Sequence, residues 1–254
     1  MAPVLKTGIP ERVSGVRIPH SPPAEFTLLY QTFRSTAIPV LPVCLMADII
    51  GWIGVCVSTV VNSMAIAGQV PHSALPDRAH VVQFYTDDNF LLDGLAMSFA
   101  GALKSGESVV AIMTKAHGKG LVKRLSVLGI DIGRTAAEGR LCLLDASDAL
   151  KRFMERDGPN RQKFLREVGN TIRRAEAAAE RKGKRVVAFG EMVAVLWKEK
   201  QCDAAIRLEQ LWNELARTHF FHLHCAYPAK WFYGKHKGEP YATICAEHSV
   251  VITA

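Results

Sequence analysis

From His80 onward, short runs of β-branched and aromatic residues alternate with longer segments in which apolar residues recur every three or four positions. The short runs, at 80–85, 108–113, 140–144, 185–189 and 220–227, read as strands. A helix to about residue 104 carries Leu91, Leu95, Phe99 and Leu103 on one stripe, and a second over about 118–128 carries Leu121, Leu125 and Leu128. Gly129 closes that helix, another begins at Asp145, and the turn 157–160 opens a long helix reaching about residue 182. The long helix has Phe164, Val168 and Ile172 on its stripe, continued by Ala175 and Ala179. A last helix over about 202–218 has Leu208, Leu211 and Leu215 on its stripe, with Glu209 and Glu214 off it. Strands alternating with helices predict an α/β domain over about 80–254: a mainly parallel sheet of five or so strands with helices on both faces.

The first 79 residues form a separate extension. Residues 1–36 hold Pro3, Pro10, Pro19, Pro22 and Pro23 and show neither period, so they are expected to be disordered. Gly15 to Pro19 can be encoded by the T-arm sequence of a transfer-RNA gene, which would move the true start inward, to Met46 or Met64. Residues 37–67 are apolar, but their uninterrupted core, 49–61, falls short of the roughly 20 residues a membrane span needs. Asp48 and Asn62 bound that core, so a span is not expected.

Composition narrows the classes further. The net charge of +7 falls almost wholly on residues 80–254, because the first 79 hold five Lys/Arg against four Asp/Glu. So mild a basicity is no ground for a nucleic-acid partner. Much of it lies on the helix from residue 160, as Lys163, Arg166, Arg173, Arg174 and Arg181, which reads as a solvated face or else as a protein-docking surface. Six cysteines without a CxxC pair suit free thiols in the cytoplasm better than a disulfide scaffold.

In open parallel sheets, ligands bind beyond the carboxyl ends of the strands. Glu191 stands there after the 185–189 run, either to meet a ligand or to cap the following helix, and Tyr85 ends the first strand beside the same crevice. Glu209 and Tyr227 complete the set expected to line or support the pocket. A second set is chemically tempting for metal: His222, His224, Cys245 and His248, with Cys225. Strand alternation weakens it, since His222 and His224 share a face that Cys225 does not, and no metal is expected. Nor does Cys225 beside His224 make a nucleophilic triad, because neighbours on a strand face apart and no third group is identifiable.

The arrangement of His80 with Phe84-Tyr85, Gly106-Glu107, Gly190-Glu191-Met192, Leu208-Glu209, Cys225-Ala226-Tyr227 and Ile244 to His248 resembles the MEDS family of sensory domains. That resemblance implies a divergent RecA-like three-layer sandwich, a small-molecule ligand, and a histidine kinase or transcription regulator as partner. RecA-like ATPases carry GxxxxGK[ST] after the first strand, where backbone amides and a lysine cradle phosphate. Here the residues are Thr86-Asp87-Asp88-Asn89, with neither glycine loop nor lysine, and two carboxylates stand where phosphates would sit. The expected function is therefore a non-catalytic sensor without cofactor. A degenerate nucleotide-binding enzyme and a docking module using the basic helix are the alternatives.

Overall fold

The computed structural model describes residues 75–179, 185–232 and 239–253. The expectations for the Pro-rich and apolar leader and the internal start fall outside them, as does Arg181, whereas the basic helix ends at Ala178 instead of near residue 182, because Ala179 is extended. The order is β1 (His80–Tyr85), α1 (Asp88–Lys104), β2 (Ser108–Met113), α2 (Lys115–Val127), α3 (Ile132–Ala137), β3 (Leu141–Asp145) and α4 (Ala146–Leu150). A small hairpin, β4 (Met154–Glu155) and β5 (Gly158–Pro159), leads into α5 (Arg161–Ala178). Then come β6 (Val186–Gly190), α6 (Met192–Lys198), α7 (Cys202–Ala216), β7 (Phe221–Pro228), a single 3-10 turn, α8 (Glu239–Ala246) and β8 (Val250–Thr253).

Six strands make one sheet in the order β3-β2-β6-β7-β1-β8, and every neighbouring pair is parallel. Parallel strands covered on both faces are apolar along their whole length. Accordingly β1, β2 and β6 are buried at every position, whereas the edge strands β3 and β8 are only partly so. Alternation divides the side chains between two cores. On one face Val109, Ala111, Met113, Val187 and Phe189 meet Leu91, Leu95 and Phe99 of α1 and Leu121 and Leu125 of α2. On the other, Val110, Ile112, Val186, Leu223 and Tyr227 meet Phe164, Val168 and Ile172 of α5 and Leu208, Leu211 and Trp212 of α7.

The expected stripes of α1, α2, α5 and α7 are thus the buried ones. Gly129 takes φ +79 just past α2, a backbone state that a side chain opposes, so the helix stops there. Asp145 and Asn160 cap α4 and α5 through their side chains. Several features depart from expectation, among them α3, the β4–β5 hairpin and α8. The helix after Glu191 is a separate short one, α6, set before α7, and β8 adds a sixth strand beside β1. Among the described residues no helix is long and apolar enough to cross a membrane.

Candidate functional site

At the carboxyl edge of the sheet, Glu191 follows β6 and is 5 % exposed. It occupies the N-cap position of α6, yet its side chain makes no capping hydrogen bond. The carboxylate reaches across to β2 instead. Thr114 N–H donates to Glu191 Oε2 at 2.7 Å, and His117 Nδ1 forms an ion pair with Oε1 at 2.8 Å. Thr114 also caps α2, its hydroxyl accepting from His117 N–H. Asp88 of α1 faces the other ring nitrogen of His117 at 3.7 Å. The Glu191 carboxylate against the ring holds His117 above the usual imidazole range, although burial pulls the other way. Tyr85 is buried at the end of β1, and burial, then the charges of Glu191 and Asp88, push its phenol up.

Beside this network lies an open cleft of about 440 Å³ at the ends of β2 and β3, within the size range of small-molecule sites. Met113, Val122, Leu143 and Leu144 give it apolar walls, Thr114 joins it to Glu191, and Lys119 and Asp145 stand at its polar side. The position where a nucleotide phosphate would approach is differently built. Asp87 caps α1, its Oδ1 accepting from Phe90 N–H at 2.9 Å, so a protein carboxylate already occupies the positive end of that helix.

Glu209 and Tyr227 belong to a second cluster, on the α7 face rather than the α1 face that holds Tyr85. The structure therefore divides the four expected ligand residues into two pairs. Glu209 is wholly buried rather than off the α7 stripe, because it falls between Ala205 and Trp212 on the inner side of the helix. Its Oε1 accepts from Tyr227 O–H at 2.7 Å. Its Oε2 meets Cys225 Sγ at 3.3 Å, His80 Nε2 at 3.3 Å and His248 Nε2 at 3.5 Å. Burial favours the neutral acid, but His248 and His80 outweigh it and hold Glu209 well below the usual carboxylate range. Burial and then the Glu209 charge raise both the Cys225 thiol and the Tyr227 phenol.

His222 and His224 share the opposite face, as strand alternation requires, and line a small cavity of about 40 Å³ with Gln83 and Phe99. Arg185 Nη1 lies 2.9 Å from His222 Nε2, a positive charge that opposes a cation there. Burial lowers His224 to about 4, with His248 and His80 adding to the effect. Cys245 is half-buried against the α7 core. Of the histidines and cysteines weighed as metal ligands, Cys225 and His248 join the Glu209 cluster, whereas His222, His224 and Cys245 do not. Cys142, Cys202, Cys225 and Cys245 form no disulfide.

The basic face of α5 is matched in part within the protein. Arg161 pairs with Glu214, Lys163 with Glu155, Arg166 with Glu167, and Arg173 donates to Asn170.

Sequence reasoning named Glu191 but neither Thr114 nor His117. Both lie where β2 gives way to α2, and the edge rule that singled out Glu191 applies equally there.

Residues 79–239 match the family model of MEDS, the MEthanogen/methylotroph, DcmR Sensory domain. Among solved structures, an uncharacterised protein from Pyrococcus horikoshii in complex with an unknown peptide is similar at 12 % identity and a TM-score of 0.51, over 72 % of this chain and 80 % of that one. A KaiC-like protein from Pyrococcus horikoshii OT3 is similar at 16 % identity and a TM-score of 0.47, over 74 % and 79 %. At such identities the likeness concerns the fold alone, an α/β sheet with helices on both faces, whose first strand is followed here by Thr86-Asp87-Asp88-Asn89 in place of a glycine-rich loop. Comparison with curated proteins gives no match.

Proposed function

Since the chain belongs to the MEDS family of sensory domains, we propose that it is a non-catalytic sensor for a small organic ligand, working in the cytoplasm with a histidine kinase or transcription regulator. The observation that carries a binding role without phosphate chemistry is the capping of α1 by Asp87 where a nucleotide would need free amides. The ligand occupies the cleft at the ends of β2 and β3, whose apolar walls suit a small, mainly hydrocarbon molecule. Glu191 and Tyr85 support that cleft from behind. Through Thr114 the ligand bears on the Glu191–His117 pair, which ties β2, β6 and α2 together. Signalling requires only that the ligand bind one arrangement of this unit better than another.

Thermal denaturation of the full chain tests the reading, against small apolar and one-carbon compounds and against ATP with magnesium. A ligand at a hundred times its Kd adds about 2.7 kcal/mol, a rise in Tm of roughly 5–10 °C for a domain of this size. An organic compound is expected to give that rise, Glu191→Gln to reduce it, and ATP to give none. A rise with ATP alone would replace the proposal with a nucleotide-binding one. No response to any compound would leave docking through α5 as the better account.

A further inference from the structure

The cluster around Glu209 is more than a buried ion pair. His80, at the start of β1, has its Nδ1 2.8 Å from Asn213 Oδ1. The amide orientation of Asn213 is fixed, because its Nδ2 donates to the Glu247 carbonyl at 2.9 Å and to Glu247 Oε2 at 3.0 Å. His248 Nδ1 lies 2.6 Å from the carbonyl oxygen of Ile244. Both acceptors are oxygens without protons, so each ring carries its proton on Nδ1 and turns Nε2 inward. In neutral rings those Nε2 atoms present lone pairs to Glu209 Oε2, acceptor against acceptor, and His248 Nε2 finds no hydrogen-bond partner. Cys225 Sγ closes the set, 3.5 Å from His80 Nε2.

We infer that His80 Nε2, Glu209 Oε2, Cys225 Sγ and His248 Nε2 bind a divalent transition ion, zinc by preference. The four donors lie within 4.8 Å of one another. Around a tetrahedral zinc with bonds of about 2.0–2.3 Å, donors stand about 3.3–3.8 Å apart, the range of the four separations given above. Imidazole and thiolate favour zinc over magnesium or calcium, which require shells of oxygen. A zinc ion with one carboxylate and one thiolate is also neutral overall, which suits a buried place. Four protein donors leave no open position, so the site is structural and joins β1, α7, β7 and the turn before β8. The outer contacts have the form that orients metal-binding histidines: an amide oxygen behind His80, a backbone carbonyl behind His248 and the Tyr227 hydroxyl on the free oxygen of Glu209. Binding forms four metal–donor bonds and releases to solvent the Cys225 thiol proton, together with that of any protonated histidine. None of the four residues belongs to the ligand cleft, so the site stands independently of the sensory reading.

Metal content and cobalt substitution on the full chain test this. After dialysis the wild type should retain one zinc per chain, and cobalt(II) should give tetrahedral visible absorption with a thiolate-to-cobalt charge-transfer band. Cys225→Ser should lose that band and His248→Gln the retained zinc, while His222→Gln, on the other face of β7, keeps both. Asn213→Ala should weaken zinc binding by about 10–100-fold. The proposal is overturned if the wild type, folded by circular dichroism, neither retains zinc nor develops the cobalt band. It is equally overturned if Cys225→Ser and His248→Gln hold zinc as the wild type does.

Discussion

His117 carries a pH dependence that belongs to the candidate site itself. The Glu191 carboxylate raises its folded-state value, so the folded chain binds the imidazole proton more tightly than the unfolded chain does. Its contribution to stability is complete below the ordinary imidazole range, near 6.5, and disappears as pH rises through the folded-state value. Urea unfolding of wild type and His117→Gln across this range should show the largest difference on the acid side, narrowing as pH rises. A difference that grows with pH would mean that His117 is neutral in the fold. At this scale the sequence was half legible. Glu191 stood out because a strand end is recognisable locally, and its reading as a helix cap was a sound alternative. Nothing near Glu191 in the chain announces that Thr114 and His117, brought alongside by β2, would take its two oxygens instead. Likewise His80 and His248 come from opposite ends of the domain, and only the pairing of β1 with β8 puts their rings 3.9 Å apart.

Among the elements, α7 carries the largest fully buried side chain of the described residues. Trp212 is fully buried, edge-on to Phe164 at 5.3 Å and beside Phe221 at 5.9 Å. Replacing it by alanine should cost about 3–5 kcal/mol in urea unfolding, since packing on both sides limits collapse into the space. Trp212→Phe should cost much less, because the indole N–H it removes has no partner. Equal losses in the two variants would show that a hydrogen bond of that N–H, rather than packed area, fixes α7. The helices with one apolar stripe were readable because one side of each meets solvent. By contrast α6 was not, for Met192, Val193, Ala194 and Leu196 are all buried and leave no polar face to reveal a period. The strand β8 is only four residues long, too short for alternation to distinguish it from a loop.

For the molecule as a whole, β8 covers one side of β1 along the register Val81↔Val250 to Phe84↔Thr253. Deleting residues 250–254 leaves His248 in place but turns β1, buried along its whole length, into an edge. Exposed apolar edges recruit other chains, so the truncated protein should self-associate with rising concentration in sedimentation velocity. A truncated chain as monodisperse as the full one would show that β8 does not protect the sheet. The parallel α/β plan itself was legible from alternation alone, because strands covered on both sides must be apolar throughout. The strand order was not, since each choice of neighbour satisfies the same local pattern.

One consequence follows from β1 having His80 at its first position and Tyr85 at its last. Six residues give these two side chains opposite parity, so His80 turns to the Glu209 cluster and Tyr85 to the Glu191 side. Exchanging one apolar residue for another between them leaves both assignments intact. Inserting or deleting a single residue reverses one end relative to the other, and no shift of pairing with β7 can restore both. The strand can therefore vary in composition between its ends but not in length by a single residue.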